Sequence, residues 1–178
     1  MNYFAIGDLH FGHKSILQWS GQYRGGGLLT TPEEHDEWII ERWNSVVTKR
    51  DFVYVLGDAA FNAKKLELLR RMRGQKALIR GNHDKQGTET YLKYFTGVYG
   101  LYNNFGFWFS HAPIHPQELR GRRNVHGHCH HNFILGPDGL HDDRYINVSV
   151  EALLGVPVSI EELQKKFGVT EENQGKVL

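Results

Sequence analysis

The chain has 178 residues, a formal net charge of +1 and 40% hydrophobic residues, which fits one compact globular domain. The near-neutral charge excludes a broad field for gripping nucleic-acid backbone or an anionic membrane. Cys129 is the one cysteine, so no disulfide forms within the chain. No stretch nears the roughly 20 apolar residues of a membrane span, the opening residues lack the basic start of a signal peptide, and a cytoplasmic location is expected. The compositional anomaly is 11 histidines, because imidazole is the commonest metal ligand and the usual proton carrier near neutral pH.

In chain order, the first element is the apolar run Tyr3 to Ile6, read as a buried strand that ends in Gly7-Asp8-Leu9-His10. The Gly25-Gly26-Gly27 run reads as a flexible loop. Thr31-Pro32-Glu33-Glu34 opens a helix with a capping threonine, a proline at the first helical position and a glutamate three after the cap. Trp38, Ile39, Trp43, Val46 and Val47 then give it an apolar face. Phe52 to Leu56 is a second strand, followed by Gly57-Asp58. Asn62 caps a second helix, with Ala63, Leu66, Leu69 and Met72 inward. Ala77 to Ile79 leads into Gly81-Asn82-His83-Asp84. Phe105 to Phe109 leads into Ser110-His111, with Phe105, Phe107 and Phe109 on one core face. Gly127-His128-Cys129-His130 follows, and Ser159 with Glu162 forms another capping box. Alternating strands and helices predict an α/β protein, with one domain over 1–169 and a polar tail over 170–178. In such folds ligands gather beyond the carboxyl ends of the strands, where each polar cluster falls.

Taken as extended segments, Asp8 with His10, and His128 with His130, point to one side and can each address one ion. Asp58 alone is a turn aspartate. In Gly81-Asn82-His83-Asp84, a hydrogen bond from His83 to Asp84 would fix the imidazole tautomer and raise its basicity. Two imidazoles on a short backbone segment, with His111 upstream, lower the ordering cost of holding a metal.

The ordered series Asp-x-His, Gly-Asp, Gly-Asn-His-Asp, His and Gly-His-x-His resembles the calcineurin-like metallophosphoesterase superfamily over roughly residues 3 to 150, and its Gly-Asp-Leu-His opening resembles the short bacterial and phage members. The resemblance implies a four-layer α-β-β-α sandwich, with two mixed sheets flanked by helices. It implies two divalent ions: Asp8, His10 and His130 on the first, Asn82, His111 and His128 on the second, and Asp58 between them. It leaves His83 unliganded beside the substrate, supported by Asp84. Two cations about 3.5–4 Å apart can clamp a phosphoryl oxygen and hold a bridging hydroxide that attacks phosphorus. His83 then protonates the leaving alkoxide as general acid. Mixed nitrogen and oxygen ligands suit Mn²⁺, Fe or Zn²⁺, and Mn²⁺ is favoured because the set is oxygen-rich.

The expected activity is therefore hydrolysis of a small phosphomonoester or phosphodiester, nucleotide-like, with a nuclease as the near variant and a non-catalytic metal-binding module as the alternative. A metallo-β-lactamase-like hydrolase would leave all clusters but the last unexplained. Arg122 and Arg123 are candidates to grip a substrate phosphate, and His13 to line the pocket. Cys129, His126 and His131 are displaced from the ligand side. His35 and His141 read as surface residues, and His115 as a weak candidate to face substrate.

Overall fold

The computed structural model describes residues 1–170. Apart from Thr170, the tail expected over 170–178 lies outside the described residues. In chain order the elements are β1 (Tyr3–Ile6), α1 (Ile16–Ser20), α2 (Pro32–Val46), β2 (Phe52–Val55), β3 (Gln75–Ile79), α3 (Thr88–Tyr91), β4 (Gly97–Tyr99), β5 (Leu101–Asn104), β6 (Phe107–Ser110), β7 (Arg123–His126), β8 (Tyr145–Asn147), α4 (Val150–Leu153), β9 (Val158–Ser159) and α5 (Ile160–Phe167). They form two mixed sheets. The first has strand order β4-β3-β2-β1-β9, parallel except for β9. The second has the order β5-β6-β7-β8, antiparallel at β5–β6 and parallel beyond.

Alternation along β1, β2 and β3 divides the core in two. Phe4, Ile6, Val53, Val55 and Leu78 face outward against Ile39 and Trp43 of α2 and against Leu66, Leu69 and Met72. Ala5, Tyr54, Leu56, Ala77 and Ile79 face inward against Phe107, Phe109, Val125 and Ile146 of the second sheet. This gives the helix-flanked two-sheet sandwich that the resemblance implied. The outer side of the second sheet is covered thinly, by the segment after His111. There Trp108 donates to Leu119 O and Tyr145 donates to Ile114 O. No helix of the described residues is long and apolar enough to cross a membrane.

The capping boxes of α2 and α5 form as expected, Thr31 with Glu34 and Ser159 with Glu162. The segment capped by Asn62 is a 3-10 helix, Ala63–Arg71, rather than an α-helix. Its apolar residues recur every three positions, at Leu66, Leu69 and Met72, which is the 3-10 period and not 3.6. In the aromatic stripe, Phe107 and Phe109 are buried, while Phe105 sits in the β5–β6 turn with φ 55°.

Candidate metal centre

The polar clusters converge past the carboxyl ends of β1, β2, β3, β6 and β7. Two sets of donor atoms lie within 4.8 Å of one another: Asp8, His10 and His130, and Asp8, Asp58 and His111. Asp8 belongs to both sets, and Asp58 Oδ2 lies 3.6 Å from His10 Nε2 and 3.5 Å from His111 Nε2. Asn82 Oδ1 is 2.8 Å from His111 Nε2, and His128 Nδ1 is 3.1 Å from it. The His10 and His130 rings stack at 5.2 Å. All the residues expected as ligands are thus in one place.

The backbone reaches this arrangement by another route than extended strands. Asp8, His10, Asp58, His128 and His130 all have positive φ, between 52° and 69°. Non-glycine residues rarely adopt this conformation, and it gathers where the surrounding structure forces it. The i, i+2 geometry expected for Asp8 with His10 and for His128 with His130 is therefore replaced by tight left-handed bends. Close packing explains two of the neighbouring glycines. A Cβ on Gly57 would lie 2.3 Å from His111 Nδ1, and one on Gly127 would lie 2.6 Å from Asp8 Oδ2.

The hydrogen bonds aim lone pairs at the centre. Leu56 O can only accept, so at 2.9 Å it takes the Nδ1–H of His111. In the neutral ring this leaves Nε2 as a lone pair facing Asn82 Oδ1, itself an acceptor. Glu151 Oε1 accepts from His130 Nδ1 at 2.8 Å, which leaves the His130 Nε2 lone pair free. Asp8 Oδ1 and His10 Nε2 are buried with no hydrogen-bond partner among the described residues. Acceptors facing acceptors, and buried donor atoms without partners, are unfavourable unless a cation joins them. The mixed nitrogen and oxygen set therefore fits a divalent metal.

Burial dominates the electrostatics. It pushes the Asp8 carboxyl up to about 6. Together with the Arg24 charge, it holds His10 well below the ordinary imidazole value. Burial also lowers His13 and His128. His130 is the exception: burial opposes its charge, but the Glu151 carboxylate raises it. Burial likewise opposes the charge on Glu151, yet His130 and Arg24 hold it well below the glutamate range.

Three expectations need correction. Asp84 does not bond the His83 ring. Its carboxylate accepts the backbone amides of Asp58, Ala59 and Gly81, at 2.8, 3.1 and 2.8 Å, and so ties two of the site loops together. Arg123 does not reach the site. It stands at the start of β7, about 13 Å of strand away from the cluster, and donates to Asp143 O and Phe167 O. Arg122, just before it, lies over the Trp108 ring on the outer face of the second sheet. His35, expected at the surface, is fully buried with its Nε2 2.8 Å from Arg24 Nη1.

His83 lies beside the cluster. Its ring is 5.7 Å from both His10 and Phe61, and its backbone amide donates to Asp58 Oδ1 at 2.9 Å. His13 contacts His10 at 5.5 Å and Phe61 at 4.3 Å, so it lines the mouth. His126 is buried, with its Nδ1 2.7 Å from Gly127 O. His131 stacks on Tyr23, and exposed His115 accepts from Gln117 N. Arg24, Glu151, Trp19 and Phe61 were not picked out from the sequence. Arg24 and Glu151 lie 127 residues apart, and no local pattern marks either as buried.

The chain matches the model of the calcineurin-like phosphoesterase family over residues 1–164. It is 33% identical over 168 residues to an uncharacterized protein of Methanocaldococcus jannaschii, covering 91% of this chain and 89% of that one. The Gene 66 protein of Mycobacterium phage L5 is 35% identical over 88 residues, 47% of this chain and 40% of the phage protein. The crystal structure of a protein of unknown function from Aquifex aeolicus superimposes with a TM-score of 0.71 at 24% identity, over 93% of this chain and 98% of that chain. Its likeness shows the fold. By its match to the family model over most of its length, the chain belongs to the calcineurin-like phosphoesterases.

Proposed function

We propose that the chain hydrolyses a small phosphoester, a diester or monoester of nucleotide-like size, with two divalent ions. Asp8, His10 and His130 would hold one ion, and Asn82, His111 and His128 the other. Asp58 would serve both, and Mn²⁺ is the favoured metal. The observation that carries this function is the pair of donor sets sharing Asp8, with Asp58 Oδ2 close to His10 Nε2 and His111 Nε2, Asn82 Oδ1 facing His111 Nε2, and Asp8 Oδ1 and His10 Nε2 buried without a hydrogen-bond partner among the described residues. Bound ions would act as Lewis acids on the phosphoryl group and lower the pKa of a water toward about 7.

The protein's own groups would do the rest. His83 is half-exposed beside the cluster, with its backbone held by Asp58. From there its imidazolium would give a proton to the leaving alkoxide. Phe61 and Trp19, 49% and 73% exposed, stand on the same side, next to His13 and His83. They offer flat apolar surface to a planar leaving group such as a nucleobase. On the other side, a groove of about 680 Å³ is lined by Asn82, His111, His128, Leu101 and Ile114. A small substrate is favoured over a long strand because Arg80 beside the site, and Arg123 well away from it, are both engaged by the protein. Arg80 donates to Asp84 O and Gln86 O, and Arg123 to Asp143 O and Phe167 O.

The test is hydrolysis of bis-p-nitrophenyl phosphate and p-nitrophenyl phosphate by metal-stripped protein, with and without added Mn²⁺, Fe²⁺ or Zn²⁺. Turnover that appears with metal and vanishes on chelation is expected. No turnover on either ester with any of these metals would count against the assignment.

A further inference from the structure

Beneath the Asp8 end of the site lies a charged network that no family motif marks. The Arg24 side chain is completely buried, and Glu151 is 3% exposed. Arg24 Nε donates to Glu151 Oε1 at 2.8 Å. The same oxygen accepts from His130 Nδ1 at 2.8 Å. Arg24 Nη2 donates to Asp8 O at 2.7 Å, and Nη1 lies 3.4 Å from Leu9 O. Nη1 also lies 2.8 Å from His35 Nε2, which accepts in the neutral ring. One guanidinium thus spans the loop after α1, the bend after β1 and α4.

Desolvating an ion pair costs several kcal/mol per ion and is often no better for stability than apolar packing. Its use here must lie in what it orients. The carbonyls of Asp8 and Leu9 flank the left-handed bends at Asp8 and His10, with φ 61° and 53°. Turned inward, they would be buried acceptors without partners unless a donor filled the space. Arg24 is that donor. Glu151 takes the Nδ1–H of His130 and so leaves the Nε2 lone pair for an ion, the arrangement in which a carboxylate strengthens an imidazole ligand.

We propose that Arg24 and Glu151 are positioning residues that pre-organise the Asp8, His10 and His130 donors for one divalent ion, leaving the Asn82, His111 and His128 donors to a different support. This rests on the metal-dependent function proposed above. Neither residue touches the reacting atoms.

The test is a calorimetric titration of the metal-stripped full chain with Mn²⁺, comparing wild type with Glu151→Gln and Arg24→Lys. Both substitutions keep a polar group of similar size. Each variant is expected to lose about 10-fold to 100-fold in affinity for one ion and to keep the other within about twofold. Equal weakening of both ions, or no change in either, would overturn the proposal. A second measurement needs no variant. Long-range ¹H–¹⁵N correlation spectra of the metal-free wild type should show His130 protonated at Nδ1. A neutral His130 ring with its proton on Nε2 and none on Nδ1 would overturn the proposal even if both variants failed to fold. If the wild type bound no Mn²⁺, the parent function would fail, while the His130 tautomer would still decide the positioning role.

Discussion

Asp8 and His10 are buried above an arginine–glutamate pair, whereas Asn82 and His128 are exposed at the edge of an open groove. Charged side chains from distant parts of the chain orient the first set through His130 and the Asp8 backbone. In the second set His111 leans on a backbone carbonyl, Leu56 O, and the His128 backbone amide donates to Asp8 Oδ2. The contrast suggests a division of labour. A rigid, dry half costs little further ordering when it takes an ion, and an open half can exchange ligands with substrate. Asp58 Oδ2 lies against both, 3.6 Å from His10 Nε2 and 3.5 Å from His111 Nε2.

Breaking that shared point should have the largest effect. Asp58→Asn is expected to lower metal content at both halves and to cut turnover by on the order of 10³. Mass-spectrometric metal counting and a kcat measurement decide it, and a variant that keeps two ions and full turnover rules out the sharing. Next is His83→Ala, which removes a proton donor but no metal support. For a substrate with a poor leaving group, kcat should fall by about 10² or more with metal content unchanged.

A third test concerns the loop that feeds both halves. Burial pushes His126 down to about 4 from an ordinary 6.5. A lowered folded-state value favours the neutral ring, so its contribution is complete above about pH 6.5 and is lost as pH falls toward 4. The metal-free protein should lose about 1.4 kcal/mol per pH unit across that window from this residue. Urea denaturation at pH 7, 6, 5 and 4 measures the slope, and it should flatten in His126→Asn. The smallest effect is expected at the mouth. Phe61→Ala should raise KM about tenfold for an aryl or nucleotide ester and leave a methyl ester unchanged. An equal change for both would remove the stacking role.

Much of this was legible in the sequence wherever a signal is local. The strands β1, β2, β3 and β6 are apolar runs ending in glycine and polar residues, and Thr31 with Glu34 announces a helix start. The strands β4 and β8 span only three residues each, and β4 and β5 are half-exposed, so none carries a clean apolar run. The residues expected as ligands stand out by their order along the chain and come together in the fold, but their backbone geometry was not foreseen. Five of them occupy left-handed bends that residue type does not predict, because the surrounding packing imposes them. The support for one half was invisible for the same reason. Arg24 follows Gly21-Gln22-Tyr23 and reads as a solvated loop residue, and only the folded chain brings Glu151 to it. Arg122 and Arg123 erred the other way: nearness in sequence to Gly127-His128 hid the length of β7 between them and the site.

The most direct measurement is a Mn²⁺ titration of metal-stripped wild type beside His130→Ala and His128→Ala. Two ions of unequal affinity are predicted in the wild type, with His130→Ala abolishing the tighter and His128→Ala the weaker. A single class of site, or two sites lost together in either variant, would contradict a centre built from two unlike halves.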